Sequence, residues 1–311
     1  MKVMAPVSSF VSAKTQILAG ADEIYVGLDD PTFNNITFSG RGRTNYSGNA
    51  VNPEFNELAD IVQLAHKKAV VVNFAANTQY MSDSPNDIIS QKYINYVKNG
   101  INAGVDQVIV GDIGNLILLH ENKINIPFVA SVFLTSFNVE TIKFLKKYGV
   151  TRVVLPHHMH LSEIKSILRD TDIEVEIFAG VGCSNIDGNC YLMHGCGENI
   201  NMGIPCKALY QLSDGEEEPV LDATLDCLLC NLDELNNIGV DVIKIIGRDQ
   251  DTAFTSAMTK IHKSLIDRMK HEKLYAADIK RIVNKIPWWE NEFCNKNKCK
   301  FRDNKITRSF I

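Results

Sequence analysis

Ala19-Gly20-Ala21-Asp22-Glu23-Ile24-Tyr25-Val26-Gly27 sets a pattern that the chain repeats. A helix ends in glycine, an Asp or near equivalent follows, and a β-branched run completes the unit. The pattern returns as Ala103-Gly104-Val105-Asp106-Gln107-Val108-Ile109-Val110-Gly111-Asp112, as Tyr148-Gly149-Val150-Thr151-Arg152-Val153-Val154-Leu155, and as Ile238-Gly239-Val240-Asp241-Val242-Ile243-Lys244-Ile245-Ile246. Glycine supplies the left-handed helix C-cap, and the β-branched run reads as a strand buried on both faces. Four such joints point to a parallel sheet. Strands at Lys2–Ala5, Val70–Phe74, Pro127–Ala130 and Glu174–Phe178 bring the expected number to eight. Helices fall between them: Phe55–Lys68, with Leu58, Ile61, Val62 and Ala65 on one stripe; Val139–Lys147; and Ser162–Leu168, capped by Ser162. The expected fold is an α/β, TIM-like (β/α)8 barrel, with an open doubly wound sheet as the rival. In either fold the functional groups follow strand C-termini.

The 311 residues carry 45% apolar and 22% charged residues and a formal net charge of -5. A mildly acidic chain argues against broad, charge-driven nucleic-acid binding, although a local basic groove is compatible with it. No apolar run is long enough to span a membrane, and the N-terminal residues show no signal-peptide core, so the expected location is cytoplasmic. In a reducing compartment eight cysteines argue for metal or redox chemistry.

Three segments break the strand–helix rhythm. Residues 29–53 are rich in Asn, Gly and Ser and contain Arg41 and Arg43; 180–221 hold four cysteines; and 284–311 contain Trp288, Trp289, Cys294 and Cys299. We expect one barrel domain over 1–283. It would include a cysteine-rich insertion at 180–230, between the seventh and eighth strands, and a tail at 284–311 would follow it.

Cys183, Cys190, Cys196 and Cys206 share a stretch with Gly182, Gly188, Gly195, Gly197 and Gly203. Glycine permits the turns that gather thiolates and lets backbone amides approach sulfur. Zinc sites commonly use paired C-x-x-C knuckles. Only Cys227 and Cys230 form such a pair, which favours an iron–sulfur cluster over zinc. Isolated cysteines are usually small buried hydrophobes. Six between residues 183 and 230 read instead as ligands.

Met4-Ala5-Pro6 followed by Ala19–Gly27 resembles the opening "APAG…GADAVYLG" of the collagenase-like peptidase family, U32. Gly104–Asp112 resembles its "GVDALIVQD", and Ala130-Ser131 with Asn138 its "AST…N" strand. Glu176-Ile177-Phe178-Ala179-Gly180 with Cys183 and Cys190 resembles "EVFVHG…C…SGRC". Gly239–Arg248 resembles "GVDSLKIEGR". The resemblance runs from residue 2 to about 270. It implies a TIM-like barrel and a 4Fe–4S cluster on Cys183, Cys190, Cys206 and Cys227. Cys227 takes the fourth place, rather than Cys230, on counting back from Leu232-Asp233-Glu234-Leu235. It also implies oxygen-independent hydroxylation of a quinone-type ring or of tRNA or ribosomal RNA bases; the peptidase label comes from older members. Three departures stand out. Ala179-Gly180 replaces "HG", His157-His158 replaces "RE", and Ile246 replaces the Glu of "KIEGR". The ligands look retained while the substrate face looks rewritten.

His157, His158 and His160 follow a strand end and are candidates for acid–base or substrate-binding roles, with an ordinary polar loop as the alternative. Asp112 ends another strand and either binds a substrate hydroxyl or caps a helix. Arg248 follows the last strand, where barrels often bind anions, or else makes a structural ion pair. Arg41, Asn73 and Asn77 are further candidates for substrate binding. No H-E-x-x-H helix, G-x-S-x-G elbow or Walker A loop is present. Cys196 or Cys230 as a nucleophile has no evident His partner. The expected function is an iron–sulfur-dependent hydroxylation or oxidation of an organic substrate. The alternatives are a peptidase or peptide-maturation enzyme and a non-catalytic iron–sulfur subunit of a homologous protein. The expected partners are an electron donor or acceptor and another protein of the same family. Removing the four family ligands leaves Cys196, Cys230, Cys294 and Cys299, which would form a second metal site if Trp288 and Trp289 dock the tail over the cysteine loop.

Overall fold

The computed structural model describes residues 1–30, 52–78, 88–181, 209–211, 213, 215, 217–218, 225–247, 250–296 and 298–301. Eight parallel strands close into a barrel. They are β1 (Lys2–Pro6), β2 (Glu23–Val26), β3 (Val71–Ala76), β4 (Gln107–Val110), β5 (Phe128–Ala130), β6 (Val150–Val154), β7 (Glu174–Val181) and β11 (Val242–Ile245). Each pairs with the next, and β11 closes the ring between β7 and β1. Closure excludes the open sheet. Between β7 and β11 lie a two-stranded ribbon, β8 (Tyr210–Gln211) with β9 (Glu217–Glu218), and the short β10 (Leu225–Asp226). β10 runs antiparallel to the end of β7, with Leu225 opposite Val181 and Asp226 opposite Gly180. Residues 181 and 225, on either side of the cysteine-rich stretch, therefore meet at one corner of the barrel.

The repeated Gly-x-Asp unit has a physical origin at each joint. Gly20, Gly104, Gly149 and Gly239 all have φ between +87° and +96°, the left-handed conformation that ends a helix and that glycine adopts without Cβ strain. The aspartate two residues later accepts from a backbone N–H of the neighbouring strand. Asp22 takes Val3 N–H at 2.9 Å, Asp106 takes Val72 N–H at 2.7 Å, and Asp241 takes Val175 N–H at 2.8 Å. Each carboxylate thus pins the start of one strand beside the next.

The helices are α1 (Phe10–Leu18), α2 (Phe55–His66), α3 (Ile88–Asn102), α4 (Ile113–Glu121), α5 (Val139–Lys146), α6 (Leu161–Asp170), α7 (Leu232–Ile238), α8 (Thr252–Met269) and α9 (Ala276–Val283). The Leu58, Ile61, Val62 and Ala65 stripe of α2 is buried as its spacing requires. Helix α6 begins one residue before the expected Ser162, because the Glu163 carboxylate accepts from His160 N–H at 2.7 Å and fixes the turn there. Strand β7 runs three residues beyond Phe178, where β10 gives it a partner. The tail adds Pro287–Trp289 and a π-helical turn at Glu290–Cys294. Its Trp289 and Phe293 are buried in the same core as the barrel helices. No helix among the described residues is long and apolar enough to cross a membrane.

Candidate functional site at the C-terminal mouth of the barrel

Midway through the barrel a polar network crosses the interior. The Arg152 guanidinium on β6 binds Glu23 at 2.6 and 2.9 Å, Glu174 at 2.7 Å and Glu176 at 3.4 Å. Lys244 on β11 binds Glu176 at 2.8 Å. Burial pushes the Glu23 carboxyl up, but the Arg152 guanidinium and the Asn73 amide outweigh it and hold the group below its usual range. Burial likewise works against the Arg152 charge, and its carboxylate partners more than offset it. Asn73 belongs to this network: its Nδ2 donates to Glu23 Oε2 at 3.0 Å and to Ile24 O at 3.3 Å. The structure thus places Asn73 within the barrel among charged partners rather than on the loops.

Above the network lies a cluster that includes Tyr25, Ile109, Val129, Val154, Phe178 and Ile246. The Lys244 ammonium sits 4.6 Å from the Tyr25 ring centre, a cation–π contact. His157, three residues past β6, is buried and stacks on Phe178 with ring centres 4.5 Å apart and planes 13° apart. The Lys300 Nζ of the tail reaches it, 2.7 Å from His157 Nδ1. An ammonium donating to Nδ1 would place a neutral ring's proton on Nε2. Lys300 is itself buried. The sequence reading missed it, because a lysine among the many Lys and Asn of the tail carries no pattern that distinguishes it.

The other expected site residues separate. His158 is exposed and its ring lies 5.4 Å from Phe137. Asp112 caps α4, accepting from Asn115 N–H at 2.9 Å, so the capping alternative accounts for its observed contact. Asn77 sits at the β3 exit with its Oδ1 buried and lacking a hydrogen-bond partner among the described residues. Its backbone carbonyl approaches Gly111 so closely that a Cβ there would collide with it. Arg41, Arg248, Cys183, Cys190, Cys196 and Cys206 lie outside the described residues.

Cys227 is the one family-matched ligand within them. It follows β10 and is buried. Burial pushes its thiol up to about 12, while the Leu229 amide and the Trp289 indole N–H pull the other way. Trp289 is fully buried, and its Nε1 finds no conventional hydrogen-bond partner among the described residues. Indole nitrogen only donates, and a thiolate is a far better acceptor than a thiol. A buried donor beside sulfur suits a cysteine whose proton has been displaced by a metal, so Cys227 fits a metal ligand.

The Peptidase family U32 model matches residues 8–300. The chain belongs to peptidase family U32. It is 26% identical over 88% of its length to 23S rRNA 5-hydroxycytidine C2501 synthase of Escherichia coli, of which it spans 40%. It is 27% identical over 70% of its length to tRNA hydroxylation protein P of the same organism, spanning 46% of that protein. An uncharacterized protease of Methanocaldococcus jannaschii is 28% identical over 92% of the chain and 71% of that protein. The solved structure of a U32 peptidase overlays with a TM-score of 0.50 at 13% identity, covering 79% of this chain and 93% of that one, which supports the shared fold. The chain thus spans less than half of the two Escherichia coli hydroxylation proteins.

Proposed function

We propose that this U32 chain acts in oxygen-independent hydroxylation of a nucleobase in RNA, using an iron–sulfur cluster. The observation that carries this reading is the similarity to the rRNA and tRNA hydroxylation proteins, which extends across most of the barrel. The cluster would be held by Cys183, Cys190, Cys206 and a fourth cysteine, Cys227 by family resemblance, and would supply single-electron transfer. The mouth of the barrel suits a planar, polar substrate. Tyr25 and Phe178 offer aromatic faces, Lys244 a buried cation, and His157 an imidazole held by Lys300. The net charge of -5 makes this a site-directed interaction with RNA rather than a charge-driven coat.

The test is nucleoside mass spectrometry on tRNA and ribosomal RNA from cells lacking the gene. A hydroxylated nucleoside should disappear. It should return with the wild-type gene and fail to return with Cys183→Ala. An unchanged nucleoside profile overturns the reading. Peptide hydrolysis is the second reading, favoured by the protease-named relative. Cleavage of a peptide panel by cluster-free protein would support it.

A further inference from the structure

Charge is distributed unevenly along the chain. Residues 260–311 hold 14 Lys and Arg against 6 Asp and Glu, a net of +8, so residues 1–259 carry -13 towards the total of -5. Such asymmetry points to a surface for a polyanion more specifically than the net charge does. The fold gathers part of the cationic segment in one place. β10 runs antiparallel to the end of β7, which puts the next residue, Cys227, at the C-terminal rim of the barrel. The tail is bound to it there: Cys227 N–H donates to Lys298 O at 2.8 Å, and Lys300 N–H donates to Cys227 O at 2.9 Å. Helix α9 packs on residues 229–231, directly after this point. Its Lys280 lies within electrostatic reach of Cys230 and Cys294. Lys296 follows two residues after Cys294. Lys280, Lys296 and Lys298 therefore flank one corner of the rim.

Lys280 and Lys296 are exposed and Lys298 is half-buried. Lys280 and Lys298 make no ion pair among the described residues, and Lys296 has only an exposed i,i+4 contact with Glu292 at 2.9 Å. The buried carboxylates inside the barrel are matched separately, Glu23 by Arg152 and Glu176 by Arg152 and Lys244. Two residues after Lys298, Lys300 turns inward to His157. One short segment thus leads from the cationic corner into the mouth.

We propose that Lys280, Lys296 and Lys298 form a contact surface for the phosphate backbone of RNA, which guides a base into the barrel mouth beside Cys227. The inference rests on the RNA-hydroxylation reading and adds where the RNA lies. The acidic remainder of the chain repels an approaching polyanion, so RNA reaches the mouth from the side where cations predominate. Lysine suits this role, because its ammonium holds phosphate as a point charge without reading sequence. An acidic protein is the other partner that such a corner attracts. RNA is favoured because the cations adjoin the mouth that admits the substrate, and because the proposed substrate is itself a polyanion.

The test is binding of end-labelled, fragmented total RNA from cells lacking the gene to the anaerobically purified full chain, at about 50 and about 200 mM salt. Wild-type affinity should fall steeply with salt. Lys280→Gln/Lys296→Gln/Lys298→Gln should bind at least about tenfold more weakly at the lower salt, and its slope of log affinity against log salt should flatten by about 2. Lys280→Arg/Lys296→Arg/Lys298→Arg should bind as the wild type does. Lys68, Lys123 and Lys147 are exposed in the joints before β3, β5 and β6, at the opposite end of the barrel. Lys68→Gln/Lys123→Gln/Lys147→Gln removes the same charge there and should change affinity less than about twofold. Iron content and visible absorption check that the glutamine triple keeps its corner intact; where they change, Lys280→Gln and Lys298→Gln are read singly, each expected to weaken binding. No RNA binding by the wild type, unchanged affinity in the glutamine variants, or an equal loss in the opposite-end triple overturns the surface. Unchanged RNA binding with a fall in the cellular hydroxylated nucleoside assigns the corner to an acidic protein and likewise overturns it. The hydroxylation reading stands or falls separately, on whether the wild-type gene restores that nucleoside.

Discussion

Arg152 is fully buried, with Glu23 and Glu176 equally buried on either side and Glu174 at the rim. A charge in such a place persists only because its partners are fixed by strands on different sides of the barrel. Arg152→Met would leave buried Glu23 with only the half-exposed Lys2 and Glu176 with Lys244 alone, and we expect a loss of about 3 kcal/mol in urea unfolding. A loss under about 1 kcal/mol would show that the network is hydrated rather than sealed. None of this was legible in the sequence. Thr151-Arg152-Val153-Val154 reads as a strand with one polar interruption, and the Glu23 partner lies 129 residues away. Asn73 reads in the sequence as a candidate for substrate binding, yet strand alternation turns it inward onto Glu23. Lys300 escaped notice for the opposite reason, since only the returning tail brings it to His157.

Elements were read more securely than residues. The helix-ending glycine and the polar residue two places on (Asp22, Asp106, Asp241 and, at the fourth joint, Thr151) mark the end of a helix and the start of a strand, so four of the eight strands could be placed from them. Helix boundaries moved by one or two residues where a side chain such as Glu163 decides the first turn. Helix α8 carries a titration that the sequence does not show. His262 is buried on it, its Nδ1 is 2.8 Å from Met258 O, and its ring lies edge-on to Trp289 at 5.9 Å. Burial holds its pKa down to about 4, against an ordinary 6.5, although the Met258 carbonyl favours the proton. The unfolded chain therefore takes up a proton at higher pH than the folded one. Stability is full above pH 6.5 and falls as the pH drops towards 4. The difference corresponds to at most ~3 kcal/mol. Urea unfolding across that range should show the decline, and His262→Gln should flatten it. An unaltered slope in the variant would assign the decline to other groups.

At the scale of the whole molecule, the barrel brings together groups from distant parts of the chain at one mouth. Tyr25 and Phe178 come from strands, His157 from a loop, and Lys300 from the tail. Barrel closure and the family were legible because each rests on an ordered set of short motifs spread along the chain. The join between tail and barrel was legible only in part. Trp288 and Trp289 signalled docking, but that the tail pairs with Cys227 depends on a backbone bridge that no local pattern shows. The end of β7, β10 and the tail meet at one corner, through the β7–β10 pairing and the Cys227–Cys299 bridge. The most direct measurement is iron and acid-labile sulfide per chain after anaerobic purification, with the visible absorption spectrum. The account predicts about four of each in the wild type and a near-complete loss in Cys183→Ala, Cys190→Ala and Cys206→Ala. An iron-free, colourless protein that keeps full activity would contradict it.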